Sequence, residues 1–316
     1  MAEIIKFPGN IETLDAHTHP VFTPGEFKLK DLVDVCISNG VSCIGITNFP
    51  RPGKPDFRYL DFSSNLMKPM HNRNGRSYEV VAKQAGWFAV SRKIDGVEDI
   101  VQFYQGQEVP TEKGHILFFD LPRQIPINKP TSMEEAIKMA KDQDAVVIAD
   151  HPYTEVWGGM GKRMLDEHLD EFDAIEWNAQ CINLLPDKYK NFVMSMFSKK
   201  IPFRFLRDAY QERSNILAEV FAEIHKKPLI ATSDTHMSRL LGIGGNASQI
   251  GLGSISFENP NGKGNRLESG DLRQILSSEN YRNHMVPISR KEFLKWAIPN
   301  RLNALLEICG LPSGEY

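Results

Sequence analysis

Short, uniformly apolar runs recur along this chain, most of them preceded by a helical pattern and a Gly- or Lys-rich stop. Leu29, Leu32, Val33 and Cys36 fall on one helical face, Gly40 supplies the stop, and Ser42-Cys43-Ile44-Gly45-Ile46-Thr47 reads as a buried strand. A capping-box pattern, Thr131 with Glu134, opens a helix near 136–141 that leads into the strand 145–149. Helical patterns at 164–172, 189–198 and 209–225 precede apolar runs at 174–177, 201–205 and 228–232. Strands alternating with helices of this length predict parallel βαβ units, and the lack of polar alternation predicts strands buried on both faces. An open doubly wound sheet is the competing topology. It usually carries a Gly-rich phosphate turn after its first strand, and none follows Thr13-Leu14-Asp15. A chain of 316 residues is long enough for one elaborated α/β barrel.

Two stretches interrupt the rhythm. Residues 51–93 hold nine Arg and Lys against three acids, and residues 242–268 are rich in Gly, Asn and Ser and read as a loop region. A last helical pattern, 290–308, contains Pro299 and is expected to kink or divide there. The overall balance of 37 basic and 40 acidic residues excludes a protein that coats nucleic acid, so any polyanion contact has to be local. No apolar run reaches the ~20 residues of a membrane span, and the N-terminus lacks the apolar core of a secretory signal. Cys36, Cys43, Cys181 and Cys309 form no CxxC pair. A reduced, cytoplasmic setting is the expectation.

The chemistry concentrates at the ends of the apolar runs: Asp15-Ala16-His17-Thr18-His19-Pro20, Gln107-Glu108, Gly114-His115, Asp150-His151-Pro152, Ile175-Glu176-Trp177-Asn178 and Ser233-Asp234-Thr235-His236. In a parallel barrel such ends converge on one rim. Nine histidines give about 0.25 His-x-His pairs by chance, so one pair proves little, whereas several His and carboxylate groups at successive strand ends carry weight. Residues i and i+2 of a strand share a face, so His17 with His19, and Asp234 with His236, can each address one centre. The prolines after His19 and His151 bias both histidines toward extended backbone. Imidazoles mixed with carboxylates suit Zn²⁺, Mn²⁺ or Fe²⁺ better than Mg²⁺ or Ca²⁺. More than four candidate ligands predict two divalent ions sharing a carboxylate.

This set of motifs, in order from 14 to 237, resembles the PHP (polymerase and histidinol phosphatase) family of metal-dependent phosphoesterases. The resemblance implies a distorted (β/α)7 TIM-like barrel with a basic insertion after the second strand. The whole chain, 1–316, would be one domain, with its core at 14–237, the insertion at about 51–93 and a C-terminal elaboration at 238–316. It also implies that His17, His19, Glu108 and Asp234 bind a first metal, with Glu108 bridging to a second held by His115 and His151. Where many members have Ile-Thr-Asp-His, this chain has Ile46-Thr47-Asn48-Phe49, and Phe49 cannot bind metal, so a third ion is not expected. That leaves His236, otherwise a metal ligand, free to act with Asp234 in catalysis as a proton donor or phosphate partner.

Arg51, Arg239 and Asn178 are the expected substrate-binding residues, the arginines because the guanidinium fork matches phosphate. Glu176 reads as a partner of a ligand histidine, and Lys162 with Arg163 as a weaker phosphate candidate. His71, His168, His225 and His284 are expected in solvent. The expected activity is hydrolysis of a phosphate mono- or diester, on a small phosphorylated substrate or nucleotide. Nucleic acid could be reached through 51–93, and no membrane is involved. The rival readings are an amidohydrolase-like enzyme, whose bridging lysine has no counterpart here, and a catalytically weak metal module that serves nucleic acid.

Overall fold

The computed structural model describes residues 10–20, 29–47, 76–126, 131–154, 159–179, 211–237 and 253–285. Their strands form two mixed sheets. The first is built on β1 (Ile11–Pro20), which pairs in parallel with β2 (Cys43–Ile46) along one edge. Along its other edge β1 pairs antiparallel with β12 (Gly253–Glu258) and then, beyond Leu14, in parallel with the short β11 (Thr235–Met237). β5 (Val97–Gln105), β4 (Trp87–Ile94) and β3 (Ser77–Gln84) extend the sheet beyond β2, and β13 (Tyr281–Met285) extends it beyond β12. The second sheet runs β10 (Leu229–Thr232), β9 (Ala174–Asn178), β8 (Val146–Ala149), β7 (Gly114–Phe119), β6 (Gln107–Thr111).

Period-2 burial explains the layers. Phe118, Val147 and Ile175 face one side of the second sheet, where they pack under α2 (Met133–Lys141), α3 (Gly161–Glu167) and α4 (Gln211–His225) through Ile137, Leu165 and Phe221. Leu117, Phe119 and Ile148 face the other side and meet Leu14, Tyr104, Ile230 and Ile255, with Leu272 and Leu276 of α5 (Ser269–Ser277) joining that core. On the outer face of the first sheet, Leu32, Val33 and Cys36 of α1 (Leu29–Ser38) pack on Ile44, Phe88 and Phe103. Gly253 lies so close to Thr232 that a Cβ there would stand 1.8 Å from its carbonyl oxygen, so β12 crosses the tip of β10 only as glycine.

The barrel expectation is corrected: among the described residues strand outweighs helix, and the described strands form two mixed sheets with no closed barrel and no (β/α)7 order. The uniformly apolar runs do have both faces covered, but one cover is helix and the other is the opposing sheet, so apolarity alone could not distinguish this arrangement from a barrel. Short turns also forbid parallel pairing. β3, β4 and β5 form an antiparallel meander, with Asp95-Gly96 turning at φ +50° and +82° between β4 and β5, and two residues join β6 to β7. Part of the expected loop at 242–268 is β12. The cap of α2 is Ser132, whose hydroxyl accepts from the Glu135 N–H, one residue later than the Thr131 pattern. The patterns at 189–198, 201–205 and 290–308 lie outside the described residues. Among the described helices none is long and apolar enough to cross a membrane.

Candidate metal centre

β1 sends His17 and His19 to one side, as the two-residue spacing requires. Their Nε2 atoms lie 2.9 Å apart. Glu108 reaches them from β6: its Oε2 is 3.0 Å from His19 Nε2 and 3.4 Å from His17 Nε2. Asp234 Oδ1 completes the group at 3.3 Å from His19 Nε2 and 3.5 Å from His17 Nε2. Donors bonded at about 2.1 Å to one tetrahedral ion stand about 3.4 Å from each other, so these four atoms have the spacing of a coordination shell.

A second group forms on the other oxygen of the same carboxylate. Glu108 Oε1 is 2.6 Å from His115 Nδ1 and 3.5 Å from His151 Nε2. The β6–β7 hairpin pairs Glu108 with Leu117 and Pro110 with His115, which makes Glu108 and His115 diagonal neighbours on one face. Asp150 Oδ2 lies 3.3 Å from His151 Nε2. Glu108, His115, Asp150 and His151 can therefore hold one cation, and His17, His19 and Asp234 another, with Glu108 between them.

Glu176 organises both groups from behind. It accepts from His17 Nδ1 at 2.6 Å and from the Thr232 hydroxyl at 2.5 Å on one oxygen, and from the His151 backbone N–H at 2.6 Å on the other. A proton held on Nδ1 leaves His17 Nε2 as the free donor, which is how a carboxylate orients a ligand histidine. Asn178 donates to Glu176 at 3.3 Å and to Asp234 at 3.2 Å, a bridge within the site.

The electrostatics follow from crowding imidazoles and carboxylates out of water. Burial opposes charge on His17, but Glu176, Asp234 and Glu108 outweigh it and hold its pKa well above the ordinary histidine value. His19 and His151 are raised against burial in the same way, by Asp234 with Glu108 and by Glu108 with Glu176 and Asp234. Burial also works against Glu108, yet the four surrounding imidazoles hold it well below the usual carboxylate range. Asp150 goes the other way, driven up by burial and then by the charges of Glu108 and Glu176.

Two expected backbones differ from those observed. His151 has φ +23° despite the following proline, and Asp234 has φ +49° ahead of β11 instead of lying within a strand. Both are non-glycine residues in left-handed backbone, a conformation that surrounding structure has to impose. At His151 the Glu176 contact to its N–H supplies part of that constraint.

The remaining residues separate clearly. His236 lies in β11 with its backbone in register with His19. Arg51, Arg239, His71 and the Asn48-Phe49 motif lie outside the described residues. Lys162 and Arg163 form ion pairs along their own helix with Asp166 and Glu167. His284 is not solvated as expected but sits in β13 with Nε2 2.7 Å from the Ser256 hydroxyl, and burial lowers its pKa. Within the described part of the basic stretch, Arg76 and Arg92 share Asp34, Arg92 also takes Asp99, and Lys93 meets Glu98. Asp150 was missed as a site residue, although it satisfies the criterion that picked out Asp234: a carboxylate at the end of an apolar run beside a histidine motif.

No protein-family model matches the chain. Over 75 residues it is 37% identical to an uncharacterized protein, MJ1587, of Methanocaldococcus jannaschii, a match covering 24% of this chain and 40% of that protein. Among solved structures, a two-domain protein from Bacteroides vulgatus containing a predicted PHP-like metal-dependent phosphoesterase aligns with 88% of this chain and 65% of its own, at 14% identity and a TM-score of 0.46. Likeness of that size carries no argument about family or activity. The chemistry has to rest on the site itself.

Proposed function

We propose that this chain is a metal-dependent phosphoesterase acting on a phosphate mono- or diester, with a small phosphorylated compound or nucleotide as substrate. The observation that carries the reading is Glu108, whose two oxygens each face a separate pair of imidazoles within 3.5 Å. Carboxylates that bridge in this way accompany paired divalent ions. Such ions, when bound, polarise a phosphoryl oxygen and lower the pKa of a water toward about 7. The donor set fits Zn²⁺, Mn²⁺ or Fe²⁺.

The protein's own residues do the rest. His17, His19 and Asp234 hold one position, and His115 and His151 the other. Glu176 keeps the His17 proton on Nδ1 and so directs Nε2 inward. Asn178 bridges Glu176 and Asp234, limiting the swing of both carboxylates. Burial of these groups, His115 excepted, excludes bulk water and strengthens each electrostatic contact. The reading assigns proton delivery to the leaving group to His236, whose strand lies beside His19, and phosphate neutralisation to Arg51 and Arg239.

The test is hydrolysis of an aryl phosphate mono- and diester by chelator-stripped protein reloaded with Mn²⁺ or Zn²⁺. Turnover that needs the metal and disappears in His19→Ala is the expected result. Metal uptake accompanied by turnover of amides or lactones alone would replace this reading with an amidohydrolase-like one.

A further inference from the structure

Asp150 follows the last residue of β8 and is fully buried. Neither of its carboxylate oxygens receives a hydrogen bond among the described residues. That is an unusual state for a group so strongly hydrated when exposed. Three ring nitrogens face it: His151 Nε2 at 3.3 Å and His115 Nδ1 at 4.0 Å from Oδ2, and His17 Nδ1 at 3.4 Å from Oδ1. The other carboxylates close by are Glu108 and Glu176, which repel its charge and accept its proton when it carries one.

Three roles could account for a carboxylate in this position. A purely structural one needs a proton: either His151 or His17 supplies it, from 3.3 and 3.4 Å, or Asp150 carries it and shares it with Glu108 or Glu176. A cation between Asp150, Glu176 and His17 would need the Nδ1 of His17. That atom already gives its proton to Glu176, while Nε2 faces the first group. An imidazole offering Nε2 as a ligand keeps its proton on Nδ1, so the two uses exclude one another.

The third role uses the two imidazoles that face Oδ2 together with Glu108, and the experiment below separates it from the structural one. We infer that Asp150 is a ligand of the second cation, joining Glu108, His115 and His151, an inference that rests on the cation-binding reading above. Each position then has two imidazole nitrogens and two carboxylate oxygens: His17, His19, Asp234 and Glu108 for the first, and His115, His151, Asp150 and Glu108 for the second. Matching donor sets make one kind of ion suitable for both places.

The experiment uses the full chain, stripped with chelator and titrated with Mn²⁺, comparing wild type with Asp150→Asn and, as a second variant of smaller volume, Asp150→Ala. Bound Mn²⁺ per chain is read by equilibrium dialysis, and melting temperature is read with and without the ion. Wild type should take up two ions. The Asp150 variants should keep one at unchanged affinity and bind the other at least about 10-fold more weakly. With chelator present, Asp150→Asn should melt no lower than wild type, because a buried carboxylate lacking donors is removed, while its rise on adding Mn²⁺ should be smaller. Two ions bound at wild-type affinity in both variants would overturn the inference and leave the phosphoesterase reading standing. So would a drop in the chelated melting temperature with Mn²⁺ uptake intact, since that is the signature of a structural carboxylate. Failure of wild type to bind Mn²⁺ at all would overturn the parent reading and this inference with it.

Discussion

The two ligand groups on either side of Glu108 are assembled in opposite ways. Glu108, His115, Asp150 and His151 come from one continuous stretch of chain, carried by β6, β7 and the tip of β8. His17, His19 and Asp234 come from the first described strand and from the loop after β10, and they meet only when β11 and β12 close against β1. The second group is therefore a product of one hairpin and its neighbour, while the first depends on the long-range closure of the fold. Loop-closure entropy makes contacts of the second kind costlier to form and easier to lose.

Glu108→Ala should have the largest effect, because it removes a donor from both groups at once. Loss of both ions and a fall in turnover on the order of 10³-fold or more are expected, read by metal content and initial rates. Retention of both ions would break the picture of a shared carboxylate. Next come His19→Ala and His151→Ala, each expected to reduce bound metal from two ions to one while leaving the other position intact. If both variants lost both ions, the two groups would not be separable and the comparison would fail.

Gly253→Val tests the long-range closure itself. The new side chain meets the Thr232 carbonyl, which should cost about 3 kcal/mol in urea unfolding. It should weaken binding at the His17/His19/Asp234 position more than at the hairpin position. Equal weakening at both would deny the difference in assembly.

Acidity offers a smaller and graded effect. The raised pKa values of His17, His19 and His151 mean that the metal-free fold binds protons there at pH values above the ordinary 6.5. Those protons stabilise the metal-free fold fully below the unfolded value, and their contribution fades as pH rises through the folded values. Cation uptake has to expel them, so apparent affinity should fall as pH drops through the same raised window, with proton release on adding Mn²⁺ in weak buffer near pH 7. Uptake without proton release would contradict the assignment of these rings as ligands. The smallest effect concerns Cys36 and Cys43, buried thiols whose pKa is driven up by burial. Peptide mapping after alkylation should find both unlabelled in the native protein, and in Gly253→Val labelling of Cys43 would report opening of the core between the sheets and labelling of Cys36 opening of the face under α1.

Legibility in the sequence differed in the same way between local and distant features. His17 and His19 were readable because period-2 geometry is local to any strand. The Asp95-Gly96 turn between β4 and β5, and the alternation of Tyr78, Val80 and Ala82 in β3 ahead of it, are equally local signals for antiparallel strands, in conflict with the helix-strand rhythm elsewhere. The extended backbone expected at His151 failed because a steric bias from the following proline, worth little by itself, yielded to the hydrogen bond from its N–H to Glu176. Asp150 carries the same linear signal as Asp234, and its place among the imidazoles shows only in the fold, because nothing in a linear pattern reveals whether a carboxylate at a strand tip will find donors or face a cluster of rings.

The order of amino acids alone determined which chemical groups stand at strand ends, which of them share a face two residues apart, and which runs are covered on both sides. These properties depend on side-chain type and backbone period, and both act over a few residues. Tertiary structure alone decided that the covers are helix on one side and a second sheet on the other, that β12 lies across the tip of β10, and that the two oxygens of Glu108 look toward different partners. Such outcomes are set by contacts between segments far apart in the chain, where many pairings satisfy the same local pattern and only packing selects one.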